Sequence, residues 1–330
     1  SETIFKDVYK LAPGHRMELR DGVKWKMQRY YYPMLEPIKG RQAADLEEKL
    51  FGTLYQVVGE HLAADVPVGL LLSGGLDSSL LVALLAEAGA ADIRTFSVGF
   101  EDQPEEKGSE FEYSDPVAER YRTSHRKFLV PNQEVLRRLP EAVDNMAEPM
   151  FGQVAVAFYL LAEQVSKEIK VVQSGQGADE VFGGYFWYPR MRAETAGTPL
   201  ERFRKHYFDR DHPEFLRMVT EPCRGGDHTG EYIASRLAEP GADEFLDQVL
   251  RLDVTTLIVD DPVKRVDNMT MAFGLEARVP FLDHELVELA ARCPPELRLR
   301  DDGKFPLKAI AVSYTHLTLP TNRVAGWERG

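Results

Sequence analysis

The chain has 330 residues, 44% of them hydrophobic, enough for one large or two ordinary domains with a substantial core. A formal net charge of -13 leaves no general basic surface to neutralise a nucleic-acid backbone, which excludes broad nucleic-acid binding. Two cysteines, Cys223 and Cys293, are too few and too separated for a zinc site or a disulfide framework, and no apolar run reaches membrane-spanning length. The expectation is therefore a cytoplasmic protein with neither a nucleic-acid nor a membrane partner. The first residue is not methionine and no secretory signal follows it, so the chain is expected to begin partway through a longer protein.

Taken in order, Ala43–Leu62 has the spacing of an amphipathic helix, with Leu46, Leu50, Leu54 and Val57 or Val58 on one face. Val68–Leu72 lacks polar alternation, as a strand buried on both faces requires. It breaks into Ser73-Gly74-Gly75-Leu76-Asp77-Ser78-Ser79 and resumes as an apolar helix. Further strands are predicted at Arg94–Phe100, Lys127–Val130 and Ile169–Gln173, with helical patterns near Ser114–Arg122, Glu134–Met146 and Ala155–Ser166. After Tyr185 the chain turns polar and mainly helical, and Phe203–Leu257 reads as a helical insertion. Strands alternating with helices predict a doubly wound α/β parallel sheet, whose ligands lie beyond the carboxyl ends of the strands. Ser73, Gly99 and Ser174 would converge there.

The loop after the first core strand carries chemistry. Gly74 and Gly75 allow a tight turn and close approach to a ligand. The helix start behind them offers free N–H groups and the positive end of its dipole, and with the hydroxyls of Ser73, Ser78 and Ser79 this forms an anion site suited to pyrophosphate. Asp77 would be repelled there without a cation, so a carboxylate in a phosphate loop implies Mg2+. The loop lacks the Lys-Ser/Thr ending of the Walker type, which points away from a GTPase or kinase. A second glycine-rich turn, QSGQGADEVFGGY over Gln173–Tyr185, places Asp179 at the same end of the sheet, where it could join Asp77 on Mg2+ or serve only as a cap. The third block, Asp260–Glu288, alternates Lys264, Arg265 and Arg278 with Asp261, Asp267, Glu276 and Asp283, a pattern equally suited to an ion-paired helix face; its methionines and Phe273 are expected in the core.

The SGGLDSS string resembles the PP-loop of the ATP pyrophosphatase superfamily, and the three blocks in this order resemble the synthetase half of glutamine-dependent asparagine synthetases across most of Asp65–Ile310. The resemblance implies an adenine nucleotide alpha hydrolase fold with a helical insertion, ATP and Mg2+ as cofactors, and cleavage of ATP between its α- and β-phosphates. It implies that Leu72, Ser73, Gly74, Gly75, Leu76, Asp77, Ser78 and Ser79 bind ATP, that Val98, Ser174 and Gly175 contact adenosine, and that Asp77 and Asp179 hold Mg2+. Lys304, in GKFPLK, matches a catalytic lysine; without the resemblance it would read as an exposed turn lysine. A cation there could compensate charge on the pyrophosphate and the reacting acyl phosphate.

Where such synthetases usually carry Glu in an SGEG turn, this chain has Gln176, an amide that can orient a nucleophile but cannot take its proton. With FWYP following, the combination is most similar to the N-acetylglutaminylglutamine amidotransferases, which convert a peptide α-carboxylate to an amide. The implied substrate is a small carboxylate, dipeptide or aspartate, and the implied nitrogen source is ammonia from a glutaminase domain that the chain lacks. Asparagine synthesis, ring closure of the β-lactam synthetase kind, and a nucleotide-binding module without turnover remain alternatives. A homodimer is compatible with all of them.

Three segments follow from the resemblance. Residues 1–35 are expected to be the end of a glutaminase domain (Ser1–Gly22) and a linker (Arg29–Pro33, RYYYP), and residues 36–311 a truncated synthetase domain. Val312–Asn322, VSYTHLTLPTN, resembles the translation of a transposase-based sequencing adapter. Residues 312–330 are thus expected to be a non-native tail in which His316 has no catalytic role despite Ser313, Tyr314 and Thr315 beside it.

Overall fold

The computed structural model describes residues 3–22, 24–34, 43–104, 107–150 and 154–313. Near the start, β1 (His15–Arg20) and β2 (Lys24–Arg29) form an antiparallel hairpin, turned by Asp21 and Gly22, both in the left-handed region. Met17 faces Met27 and Leu19 faces Trp25 in its register, and all four side chains are exposed.

Five parallel strands make the main sheet: β3 (Val68–Leu71), β4 (Arg94–Phe100), β5 (Ser124–Val130), β6 (Val171–Gln173) and β7 (Glu276–Arg278), in spatial order β5-β4-β3-β6-β7. The chain moves outward from β3 through β4 to β5, then returns to lay β6 on the other side of β3. Strand order therefore reverses between β3 and β6, the point beyond whose carboxyl ends doubly wound sheets place their ligands.

The apolar run of β3 serves two cores, because successive side chains leave a strand on opposite faces. Leu70 and Leu72 join Leu50 and Leu54 of α1 (Ala43–Glu60) and Leu81 and Leu84 of α2 (Leu76–Glu87) on one face. Leu71 packs on the other face with Phe96, Leu161 and Val172. The helix α2 is buried all along Ser78–Leu85, which explains why its sequence shows no polar stripe.

The predicted strand Arg94–Phe100 stands as read, and the helix begun at Ala43 ends at Glu60, two residues before Leu62. Three strand limits differ. The first strand ends at Leu71, the third begins at Ser124, because its exposed polar residues pair with β4 as an edge, and the fourth is confined to Val171–Gln173. The three helices read between them are α3 (Phe111–Arg120), α4 (Asn132–Asp144) and α5 (Val154–Val165). The helical region begins earlier than Phe203, at Trp187, and buries its own cluster of Tyr188, Met191, Phe203, Leu246, Val249 and Leu250. In the third block, Met269 is buried and Phe273 packs against two cores, whereas Met271 is exposed. Val312 and Ser313 complete the helix Phe305–Ser313; the remainder of the expected tail lies outside the described residues.

Candidate active site

Two loops and one turn meet at the strand reversal. The first loop leaves β3 at Leu72, whose amide donates to Phe96 and whose carbonyl accepts from the Ser97 hydroxyl. Gly74 takes φ +83, and a Cβ there would lie 2.5 Å from the Tyr113 carbonyl carbon, so the start of α3 closes directly over the loop. Gly75 is the N-cap of α2 and carries no side-chain cap. The serines brace the loop instead. Ser78 Oγ accepts from the Ser73 amide at 3.2 Å and lies 3.1 Å from Ser73 Oγ, which in turn accepts from the Gly75 amide at 3.3 Å. Ser73 is exposed, and Ser79 Oγ is buried without a partner among the described residues. Leu76 and Asp77 occupy the first turn of α2, where the dipole favours an anion.

The second loop leaves β6 at Gln173. Its Ser174 amide donates to the Arg278 carbonyl at 2.8 Å, and Arg278 is itself anchored on the His61 and Ala63 carbonyls. Gly175 lies against Asp77, for a Cβ there would sit 3.2 Å from the Asp77 Cβ. Half-buried Gln176 then leads into Gly177, at φ +93, which starts the short helix α6 (Ala178–Phe182) bearing Asp179. In the third block Lys264 pairs with Glu148, Arg265 with Asp261 and Arg278 with Glu276.

Lys304 joins these loops. Its Nζ lies 2.7 Å from Asp77 Oδ2 and 2.7 Å from Asp179 Oδ1. Only 13% of its side chain is exposed, so the reading as an open turn lysine fails. The side chain crosses the Gly183-Gly184 turn at contact distance: a Cβ on Gly184 would lie 2.1 Å from both Lys304 Cε and Asp179 Oδ1. Sequence reasoning missed this bed, although its signal is the GGY that ends the second block.

The charges are strongly coupled. Burial pushes the Asp77 carboxyl up to about 6, an effect that Lys304 opposes and Asp179 reinforces. Burial works against the Lys304 ammonium, yet Asp179 and Asp77 together hold it above the usual lysine range. Of the two carboxylate oxygens that Lys304 does not reach, Asp77 Oδ1 is buried and has no partner among the described residues. No group of three or more His, Cys, Asp or Glu side chains able to hold a metal occurs among the described residues. The two carboxylates nonetheless fit Mg2+, which takes one or two carboxylates and completes its shell from phosphate and water. Val98 stands on β4, half-buried, packed on the core that holds Leu71, Phe96 and Val172.

Residues 49–319 match the family model for asparagine synthase. The chain belongs to the asparagine synthase family. Every residue of the two loops, and Lys304, lies within the matched span, while the β1–β2 hairpin precedes it. The chain is 27% identical to glutamine-hydrolyzing asparagine synthetase 1 of Bacillus subtilis over 94% of its length and 53% of the relative's. It is 28% identical to synthetase 3 of the same organism over 91% of its own length and 50% of the relative's, and 29% identical to an asparagine synthetase of Triphysaria versicolor over 78% and 37%. The chain thus spans about half the length of the Bacillus relatives it matches. Among the described residues, no helix is long and apolar enough to cross a membrane.

Proposed function

We propose that this chain is an ATP-dependent, amide-forming synthetase domain, a carbon–nitrogen ligase that adenylates a substrate carboxylate and transfers ammonia to it. One observation carries the reading: Lys304 lies between Asp77 and Asp179 at the point where the sheet reverses order, with the start of α2 behind them. Leu72–Ser79 would wrap the ATP phosphates, and Ser174, Gly175 and Val98 would flank adenosine. Asp77 and Asp179 would hold Mg2+, which when bound shields the phosphate charge. The substrate carboxylate attacks the α-phosphate, the bond to the β-phosphate breaks, and pyrophosphate leaves with its charge facing Lys304. Ammonia then attacks the acyl carbon, the bond from that carbon to the AMP oxygen breaks, and the amide forms as AMP departs and the proton lost from nitrogen passes to solvent.

Gln176 favours a peptide α-carboxylate, N-acetylglutaminylglutamine, as the acceptor over aspartate. Its amide can orient ammonia or a peptide group but cannot take a proton. Aspartate would also bring an α-ammonium and a second carboxylate, each costly to bury without a partner. The ammonia would come from a separate glutaminase unit. To test the reading, the chain is supplied with ATP, Mg2+, ammonium and each acid in turn, and nucleotide products are resolved. Release of pyrophosphate and AMP with the dipeptide supports it. Release of phosphate and ADP overturns the adenylation chemistry, and turnover on aspartate with none on the dipeptide overturns the acceptor assignment.

A further inference from the structure

The Gly183-Gly184 turn that the Lys304 side chain crosses is pinned from one further side. Directly after Gly184, Tyr185 folds back so that its hydroxyl donates to Glu180 Oε1 at 2.6 Å. Glu180 is the neighbour of Asp179 on α6, is 1% exposed, and pairs with no Lys or Arg among the described residues. The Tyr185 ring is itself fixed, stacked on Trp187 with centroids 4.2 Å apart. This closes a loop of contacts around two glycines. Inside it, the Gly184 amide donates to the Asp179 carbonyl at 2.8 Å, and the Lys304 amide donates to the Phe182 carbonyl at 3.2 Å.

The backbone that delivers Lys304 needs such support. Asp301, Asp302, Gly303 and Lys304 all have positive φ, between 52° and 88°, a run that non-glycine residues adopt only when their surroundings hold them. Gly303 presses on the turn so closely that a Cβ would lie 2.1 Å from the Gly183 carbonyl oxygen. A shift of the Gly183-Gly184 turn would therefore move the Lys304 ammonium and the Asp179 carboxylate together.

We infer that Tyr185 is a positioning residue: through its hydrogen bond to Glu180 it sets the Gly183-Gly184 turn and, with it, the placement of Lys304 and Asp179 on the reacting phosphates. This rests on the ATP-dependent reading above. Tyr185→Phe removes one oxygen and keeps the ring stack, so the fold is preserved. Small displacements of reacting groups cost up to about 100-fold in rate, so kcat for pyrophosphate release should fall roughly 10- to 100-fold, with the KM for ATP changed less than about threefold. Glu180→Leu should reproduce the loss. Glu180→Gln, which keeps an acceptor oxygen at the same reach, should restore most of it.

A second readout does not depend on turnover: the electron paramagnetic resonance spectrum of Mn2+ bound with α,β-methylene-ATP. It should broaden or shift in Tyr185→Phe and return toward wild type in Glu180→Gln. A wild-type chain that fails to bind this Mn2+ nucleotide overturns the ATP-site reading and the positioning role with it. A wild-type chain that binds it, beside a Tyr185→Phe chain with the same spectrum and kcat, overturns the positioning role alone. Equal losses in Glu180→Gln and Glu180→Leu also overturn it, since the hydrogen bond would then not be what matters.

Discussion

Lys304 Nζ donates to Asp77 Oδ2 at 2.7 Å across 227 positions of sequence. The pair is a statement about tertiary structure, because nothing local brings a C-terminal turn to the first loop of the sheet. It also makes the lysine and the acid interdependent. Removing either leaves the other desolvated with less compensation.

Asp77→Ala and Asp179→Ala are each expected to reduce Mg2+-dependent pyrophosphate release at least roughly 100-fold while the far-ultraviolet circular dichroism spectrum is unchanged. Neither carboxylate is a freely solvated surface group, with side-chain exposures of 19% and 31%. Near-native release with an unchanged Mg2+ requirement would remove that residue from the metal site.

Lys304→Ala should lower kcat by about 100-fold or more and raise the KM for ATP far less, because its charge is worth most as pyrophosphate separates. Steady-state kinetics on ATP checks this. A loss confined to KM would make Lys304 a ground-state contact only.

Gly184→Ala inserts a methyl where Lys304 Cε and Asp179 Oδ1 already lie within 2.1 Å of the new carbon. Gly184 is not among the residues at positive φ, so the effect is steric and local. Turnover should drop roughly 100-fold with a small change in melting temperature. Retained turnover would mean that the turn can move without displacing the charges.

Asp253, which opens a π-helical turn at Asp253–Leu257, accepts from the Tyr188 hydroxyl at 2.6 Å. Burial pushes its carboxyl up to about 8, so the fold favours the protonated form. Its stabilising effect is complete below the unfolded carboxyl's range and is lost as pH climbs toward 8. Asp253→Asn should accordingly gain on wild type as pH rises, with the difference in melting temperature between pH 5 and pH 8.5 growing by at least about 3 °C. A constant difference across that range would show that Asp253 does not titrate there.

Arg298 and Asp247 form an ion pair at 2.6 Å with side-chain exposures of 2% and 1%. Asp247→Ala strands a buried guanidinium and should cost about 3–5 kcal/mol, measured by urea unfolding. The double variant Asp247→Leu with Arg298→Met should recover much of that loss. If the single variant costs under about 1 kcal/mol, water reaches the pair.

The sheet and the first loop were legible because their signals are local. A strand buried on both faces has no polar alternation at Val68–Leu72, and a glycine turn before a helix announces itself in SGGLDSS. The strand β7 was missed, since Glu276-Ala277-Arg278 has neither length nor hydrophobicity; it is a strand because β6 offers it a ladder and Arg278 finds carbonyls to hold. Lys304 was reachable only through resemblance. Its burial depends on the approach of Gly303 to Gly183 and of its own stem to Gly184, contacts with no trace in local spacing. The same holds for Glu180, which reads as a surface acid on a short helix until Tyr185 is seen to cover it.

The helix that follows Lys304 packs Leu307, Ile310 and Ala311 into the same core as Leu80, Leu81 and Leu84 of α2, the helix whose first turn holds Asp77. The two charged groups therefore sit at the ends of two rods whose separation is set by aliphatic side chains. Close-packed interiors transmit small volume changes instead of absorbing them. A methylene removed at Ile310 would reach the far end of its helix as a change in the distance between an ammonium and a carboxylate. In this protein the oil is the ruler for the electrostatics.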